Sequence, residues 1–119
     1  MTRAPKRWSL AFYESPSGRR PVEEFLDGLN RKQQAKVATY LDLLADSGLH
    51  LGPPALKKVE GDVWELRVPV ERGQVRVFFC RVKDEFVLLH AIRKKQEKLP
   101  ARELQTALRR CRQHRERGA

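Results

Sequence analysis

The chain is short of several things, and each shortage excludes a class of protein. It has two cysteines in 119 residues, Cys80 and Cys111. No Cys-x-x-Cys pair exists, so the spacing of a structural zinc site is missing and no disulfide framework is expected. Both thiols read as free, as in a reducing compartment. No apolar run approaches the roughly 18–20 residues of a membrane span. The opening "MTRAPKRWSLAFY" has no long apolar segment of the kind a secretory signal needs. A cytoplasmic protein with no membrane partner is the expectation. No metal and no cofactor is expected.

Acidic residues are outnumbered. Fifteen Asp and Glu face twenty-five Lys and Arg, a formal net charge of +10. That balance points to a polyanionic partner. The excess is lopsided: residues 1–50 hold 8 basic and 6 acidic side chains, residues 51–119 hold 17 and 9. The anion-facing surface therefore belongs to the second half. With 40% hydrophobic residues, the chain can fold around one core. Its length fits a single domain over 1–119, with a basic tail from about 109 to 119 that is expected to fray.

The hydrophobic pattern predicts the elements. "RWSLAFY" (Arg7–Tyr13) reads as a strand. Pro21 opens a helix whose apolar stripe is Val22, Phe25, Leu26 and Leu29. Val37, Tyr40, Leu41, Leu44 and Ala45 mark a second helix, ended by Gly48. The segment "GLHLGPPALKKVEGD" reads as a turn-rich crossing. "VWELRV", "QVRVFFCRV" and "EFVLLHAIR" follow as strands joined by tight turns, and Pro100 opens a last helix. The expectation is an α+β domain in the order strand, helix, helix, strand, strand, strand, helix, with a mainly antiparallel sheet against a helical hairpin.

Alternation sorts the charges by face. Trp64, Leu66 and Val68 point to the core, while Glu65 and Arg67 point away. Arg76 falls on the polar side of its strand. If the last strand stays regular, Arg93 and Lys95 join Ala91 on one side, and His90 joins Leu88 and Ile92 on the other. A sheet face collecting Arg67, Arg76, Arg93 and Lys95 suits phosphate, because guanidinium forks match phosphate oxygens.

The strings "VWELRV", "QVRVFFC" and "VLLHAIRKKQEKLP", in that order and before a short helix, resemble the RelE/ParE superfamily of toxin–antitoxin toxins. More narrowly they resemble its HigB-like, phage Gp49-like branch. Ile92 and Arg93 depart from the branch's usual "F-x-K-K" block, and Leu99 stands where a capping Thr is common. The resemblance implies a ribosome-dependent, metal-independent mRNA endonuclease that inhibits translation. It implies Arg67, Arg76, Arg93 and Lys95 as catalytic cations; the base stays open between Glu65, which shares the Arg67 face, and His90, whose imidazole suits proton transfer. It implies Lys57 and Lys58 as RNA contacts, beside which the basic residues Lys94, Arg109, Arg110 and Arg112 are expected to help docking. The implied partners are the ribosome, mRNA and a cognate antitoxin of helix-turn-helix, HigA-like type. Two alternatives stand beside it: a ParE-like DNA gyrase inhibitor, and a non-catalytic, basic, phage-derived RNA-binding protein.

Overall fold

The computed structural model describes residues 7–94 and 100–118. Strand β1 (Ser9–Phe12) is followed by helices α1 (Pro21–Asp27) and α2 (Arg31–Ser47) and by a 3-10 turn, Gly48–Leu51. Strands β2 (Leu56–Glu60), β3 (Val63–Val70), β4 (Gly73–Val82) and β5 (Glu85–Lys94) come next, and helix α3 (Ala101–Gly118) closes the chain. The sheet order is β1-β5-β4-β3-β2. Among the described residues, β1 runs parallel to its neighbour β5 and the other pairings are antiparallel. The architecture is the expected α+β one.

Local chemistry sets the helix ends. Pro21 occupies the start of α1, where a missing N–H costs nothing, and Glu23 and Glu24 meet the positive end of the helix dipole. Asn30 caps α2 reciprocally with Gln33: the Gln33 N–H donates to Asn30 Oδ1 at 2.8 Å, and the Asn30 N–H donates to Gln33 Oε1 at 3.2 Å. Gly48 ends α2 at φ +58°, and a Cβ added there would run into the Trp8 indole.

Two cores lie on opposite faces of the sheet. Val22, Val37 and Leu44 of the α1–α2 hairpin pack on Leu66, Val68, Val75, Val77, Phe79 and Leu88. Each such side chain contributes roughly 1.5–3 kcal/mol on burial. Trp8 stacks on Phe86 with ring centroids 4.4 Å apart, and Trp64 packs half-buried against the same core. On the other face, Ala107 and Cys111 of α3 pack on Val63, Phe78, Cys80, Val87 and Leu89. Cys80 and Cys111 are free, buried thiols between β4 and α3.

Three expectations need correction. Strand β2 forms inside the segment read as a crossing. Its "LKKVE" carries adjacent lysines, so alternation is faint, and β2 pairs only with β3 at the sheet edge. The basic tail does not fray but continues α3 to Gly118. Arg115 Nη1 meets Asp62 Oδ2 at 2.5 Å, Arg117 donates to the Glu14 carbonyl at 2.6 Å, and the Tyr13 hydroxyl donates to Gln113 at 2.7 Å. Finally, β5 is not regular. Phe79 pairs with Leu88 but Phe78 pairs with His90, so Leu89 is an extra residue in a β-bulge. Beyond the bulge every side chain changes face.

Candidate nucleic-acid interface

Cross-strand partners share a face, so the register places each charge. Arg67 of β3 lies directly opposite Arg76 of β4, and Lys57 of β2 lies opposite Glu65 of β3. Lys94 of β5 lies opposite Gln74, two residues from Arg76 on the same side. Four strands thus deliver Lys57, Arg67, Arg76 and Lys94 to one face, beside the apolar patch covered by α3.

Two arginines facing each other across a ladder repel. Glu65 resolves this. Its carboxylate is only 2% exposed and lies between the two guanidiniums: Arg67 Nε donates to Oε1 at 2.9 Å, and Arg76 Nε is 3.5 Å from Oε2. Oε2 has no hydrogen bond among the described residues, so its tie to Arg76 is Coulombic. Arg76 Nε also donates to Gln74 Oε1 at 3.3 Å. Arg76 is itself buried at 2%, while Arg67 is 21% exposed. Glu65 holds the pair in register, and Arg67 is the member that meets solvent.

The bulge brings His90 to this same face, against the sequence-based assignment. Its ring stacks on Phe78 at 6.1 Å. Arg110 Nη1 donates to the Leu89 carbonyl at 2.9 Å and lies 3.2 Å from His90 Nδ1. A guanidinium only donates, so Nδ1 accepts, and Nε2 carries the proton that it gives to Glu103 Oε1 at 2.6 Å. Burial lowers the Arg110 pKa below the ordinary guanidinium value. The guanidinium also lies over the Tyr13 ring at 5.5 Å. Arg110 is a tie between α3 and the bulge and not the solvent-facing RNA contact expected of it.

Arg93 also leaves its expected face. It pairs with Val75, so it points to the hairpin side, and its guanidinium donates to the Glu71 carbonyl at 3.1 Å. Lys94 takes the face assigned to Arg93. Lys58 pairs with Trp64 and also leaves the site face. Lys95 lies outside the described residues. Arg109 and Arg112 are exposed on α3, as docking residues need to be. The site residue that sequence reasoning missed is Glu103. It lies thirteen positions after His90, and only the packing of α3 on the bulged strand brings the two together.

A small α+β domain with a cationic sheet face is what these positions define. Residues 24–112 match the family model described as Phage derived protein Gp49-like (DUF891). The match runs from α1 into α3 and includes every site residue named above. The chain belongs to this Gp49-like family, which lies within the RelE/HigB-like toxin superfamily. Membership suggests a toxin of a toxin–antitoxin pair, and with it a cognate antitoxin. No curated protein matches the chain. Among the described residues, no helix is long and apolar enough to cross a membrane.

Proposed function

We propose that this toxin is a ribosome-dependent mRNA endonuclease that works without a metal and is neutralised by a helix-turn-helix, HigA-like antitoxin. The observation that carries the reading is the Arg67–Glu65–Arg76 cluster, flanked on one face by Lys57 and Lys94. In the reaction a ribose 2′-oxygen attacks the adjacent phosphorus, the bond to the 5′-oxygen breaks, and a 2′,3′-cyclic phosphate and a 5′-hydroxyl form. Negative charge grows on the phosphoryl oxygens, and Arg67 stabilises it from the rim of the cluster. Arg76 sets the field beneath, held in place by Glu65 and Gln74. The 2′-hydroxyl proton passes to Glu103, whose carboxylate is oriented by the His90 N–H, and the departing 5′-oxygen takes a proton from water. Glu65 serves as the anchor of the arginines and not as the base, because it is buried beneath them.

The test is a ribosome-programmed cleavage assay. Arg67→Ala should lose about 100- to 1,000-fold in rate with a smaller change in ribosome binding. Folded Arg67→Ala that cleaves at the wild-type rate refutes the proposal. A second reading, a non-catalytic RNA-binding protein, draws on the burial of Arg76 and on the engagement of both His90 nitrogens. It requires salt-sensitive RNA binding by a wild-type chain that cuts nothing.

A further inference from the structure

Where β2 begins, the sheet edge opens into a groove of about 480 Å³ between α2, the loop before β2 and the β3–β4 hairpin. Its lining includes Tyr40, Leu43, Leu51, Pro54, Arg67 and Gln74. The volume falls within the roughly 300–1,000 Å³ of small-molecule sites. The walls are apolar with one aromatic ring, one guanidinium and one side-chain amide, and no carboxylate lines them. We infer that this groove is a nucleobase subsite, taking the base of the nucleotide whose phosphate lies against Arg67. The inference rests on the reading that RNA is the substrate.

Arg67 belongs both to the groove and to the cationic cluster. Its Nε is committed to Glu65, while its terminal nitrogens make no hydrogen bond to the described residues. That fork is left for an anion at the rim. Gln74 is oriented by its neighbour: Oε1 accepts from Arg76, so its NH₂ group points away and can donate to a base acceptor. Leu43 is the one large hydrophobic side chain strongly exposed among the described residues, at 41%, and it forms part of the wall. An apolar peptide side chain would cover Leu43 but leave the Arg67 fork and the Gln74 amide without partners. A nucleotide supplies a flat apolar base, polar edge atoms and a phosphate on one covalent frame. The site is also built in advance. The Arg67 N–H donates to the Ala55 carbonyl at 2.7 Å and the Leu56 N–H to the Gly52 carbonyl at 3.0 Å, fastening the loop to the sheet.

The experiment is an NMR titration of the full chain with adenosine 5′-monophosphate, with ribose 5-phosphate as the probe that keeps the phosphate and lacks the base. The nucleotide should shift the Leu43 and Leu51 methyls and the Gln74 amide, and ribose 5-phosphate should shift the Arg67 Nε–H alone. Leu43→Ala, at an exposed position that does not threaten folding, should weaken the nucleotide by several-fold and leave ribose 5-phosphate unchanged. Equal shifts from both probes, or a Leu43→Ala chain that binds the nucleotide as before, would overturn the inference. So would a groove that ignores the nucleotide and responds only to the antitoxin, which would make it a protein-docking surface. The readout is independent of cleavage. Base binding by a chain that cuts no mRNA would sink the nuclease and leave the groove; cleavage with a silent groove would sink the groove alone.

Discussion

Arg76→Ala separates a buried ion pair from a surface cation more sharply than any other change at this site. Arg76 and Glu65 are each 2% exposed, and their closest ion-pair approach is 3.5 Å. Deleting Arg76 leaves a carboxylate out of reach of water, with Arg67 as its remaining cationic partner. Breaking a buried pair from one side costs about 3–5 kcal/mol, a large part of the roughly 5–15 kcal/mol that keeps a domain folded. Arg67 is 21% exposed, so water can replace part of what it supplies to Glu65. Arg67→Ala should cost only about 1–2 kcal/mol. Urea unfolding with a slope of about 1–3 kcal/mol per molar translates these into a midpoint drop of roughly 2 M for Arg76→Ala and under about 1 M for Arg67→Ala. Adding Glu65→Gln to Arg76→Ala removes the stranded charge and should recover much of the loss. If Arg76→Ala unfolds within about 0.3 M of wild type, or if Glu65→Gln deepens its defect, Glu65 is not the anchor described above. Rate losses in Arg76→Ala also need correction for unfolded chain, which makes Arg67→Ala the cleaner catalytic probe.

Gly48→Ala should cost roughly 2–4 kcal/mol, because the position needs a positive φ and the new methyl meets the Trp8 indole; thermal unfolding reads it directly. Glu103→Ala should lower both stability, by about 1–2 kcal/mol, and cleavage, since it unties α3 from the bulge and removes the proposed proton acceptor; Glu103→Gln, which keeps a hydrogen-bond acceptor, should recover the stability and not the rate. Arg109→Ala with Arg112→Ala should weaken ribosome binding and flatten its salt dependence by about two units of slope, whereas Arg115→Ala should act mainly on the α3 attachment. Asp62 is held below the usual carboxylate range by its hydrogen bond to Arg115. A depressed pKa stabilises the fold above the unfolded value near 3.9 and loses that contribution as pH falls through the folded value. Asp62→Asn should therefore cost under about 1 kcal/mol at neutral pH, the pair being exposed, and nothing at strongly acid pH, as paired urea titrations at the two pH values would show.

Periodicity in the chain determined the hairpin helices, the three long strands and the closing helix, because each buries a face whose spacing is local. The same alternation placed Glu65 and Arg67 together outside the hairpin core, two residues apart on one strand. The composition, with its surplus of cations in the second half, marked where the charged surface lies. The strings around "VWELRV" and "AIRKK" pointed to the superfamily that the family match then bore out. What the chain did not carry was every feature that depends on a partner strand. The lysine-rich edge strand β2 exists because β3 offers it hydrogen bonds. The bulge at Leu89 exists in the pairing of β5 with β4, and it exchanges Arg93 for Lys94 and turns His90 onto the site face. Glu103, Arg110 and His90 meet because α3 packs across that bulge. Alternation is a rule for one strand, whereas register and bulges are set by two, so tertiary structure alone decided which cations share a face and which are buried beneath it.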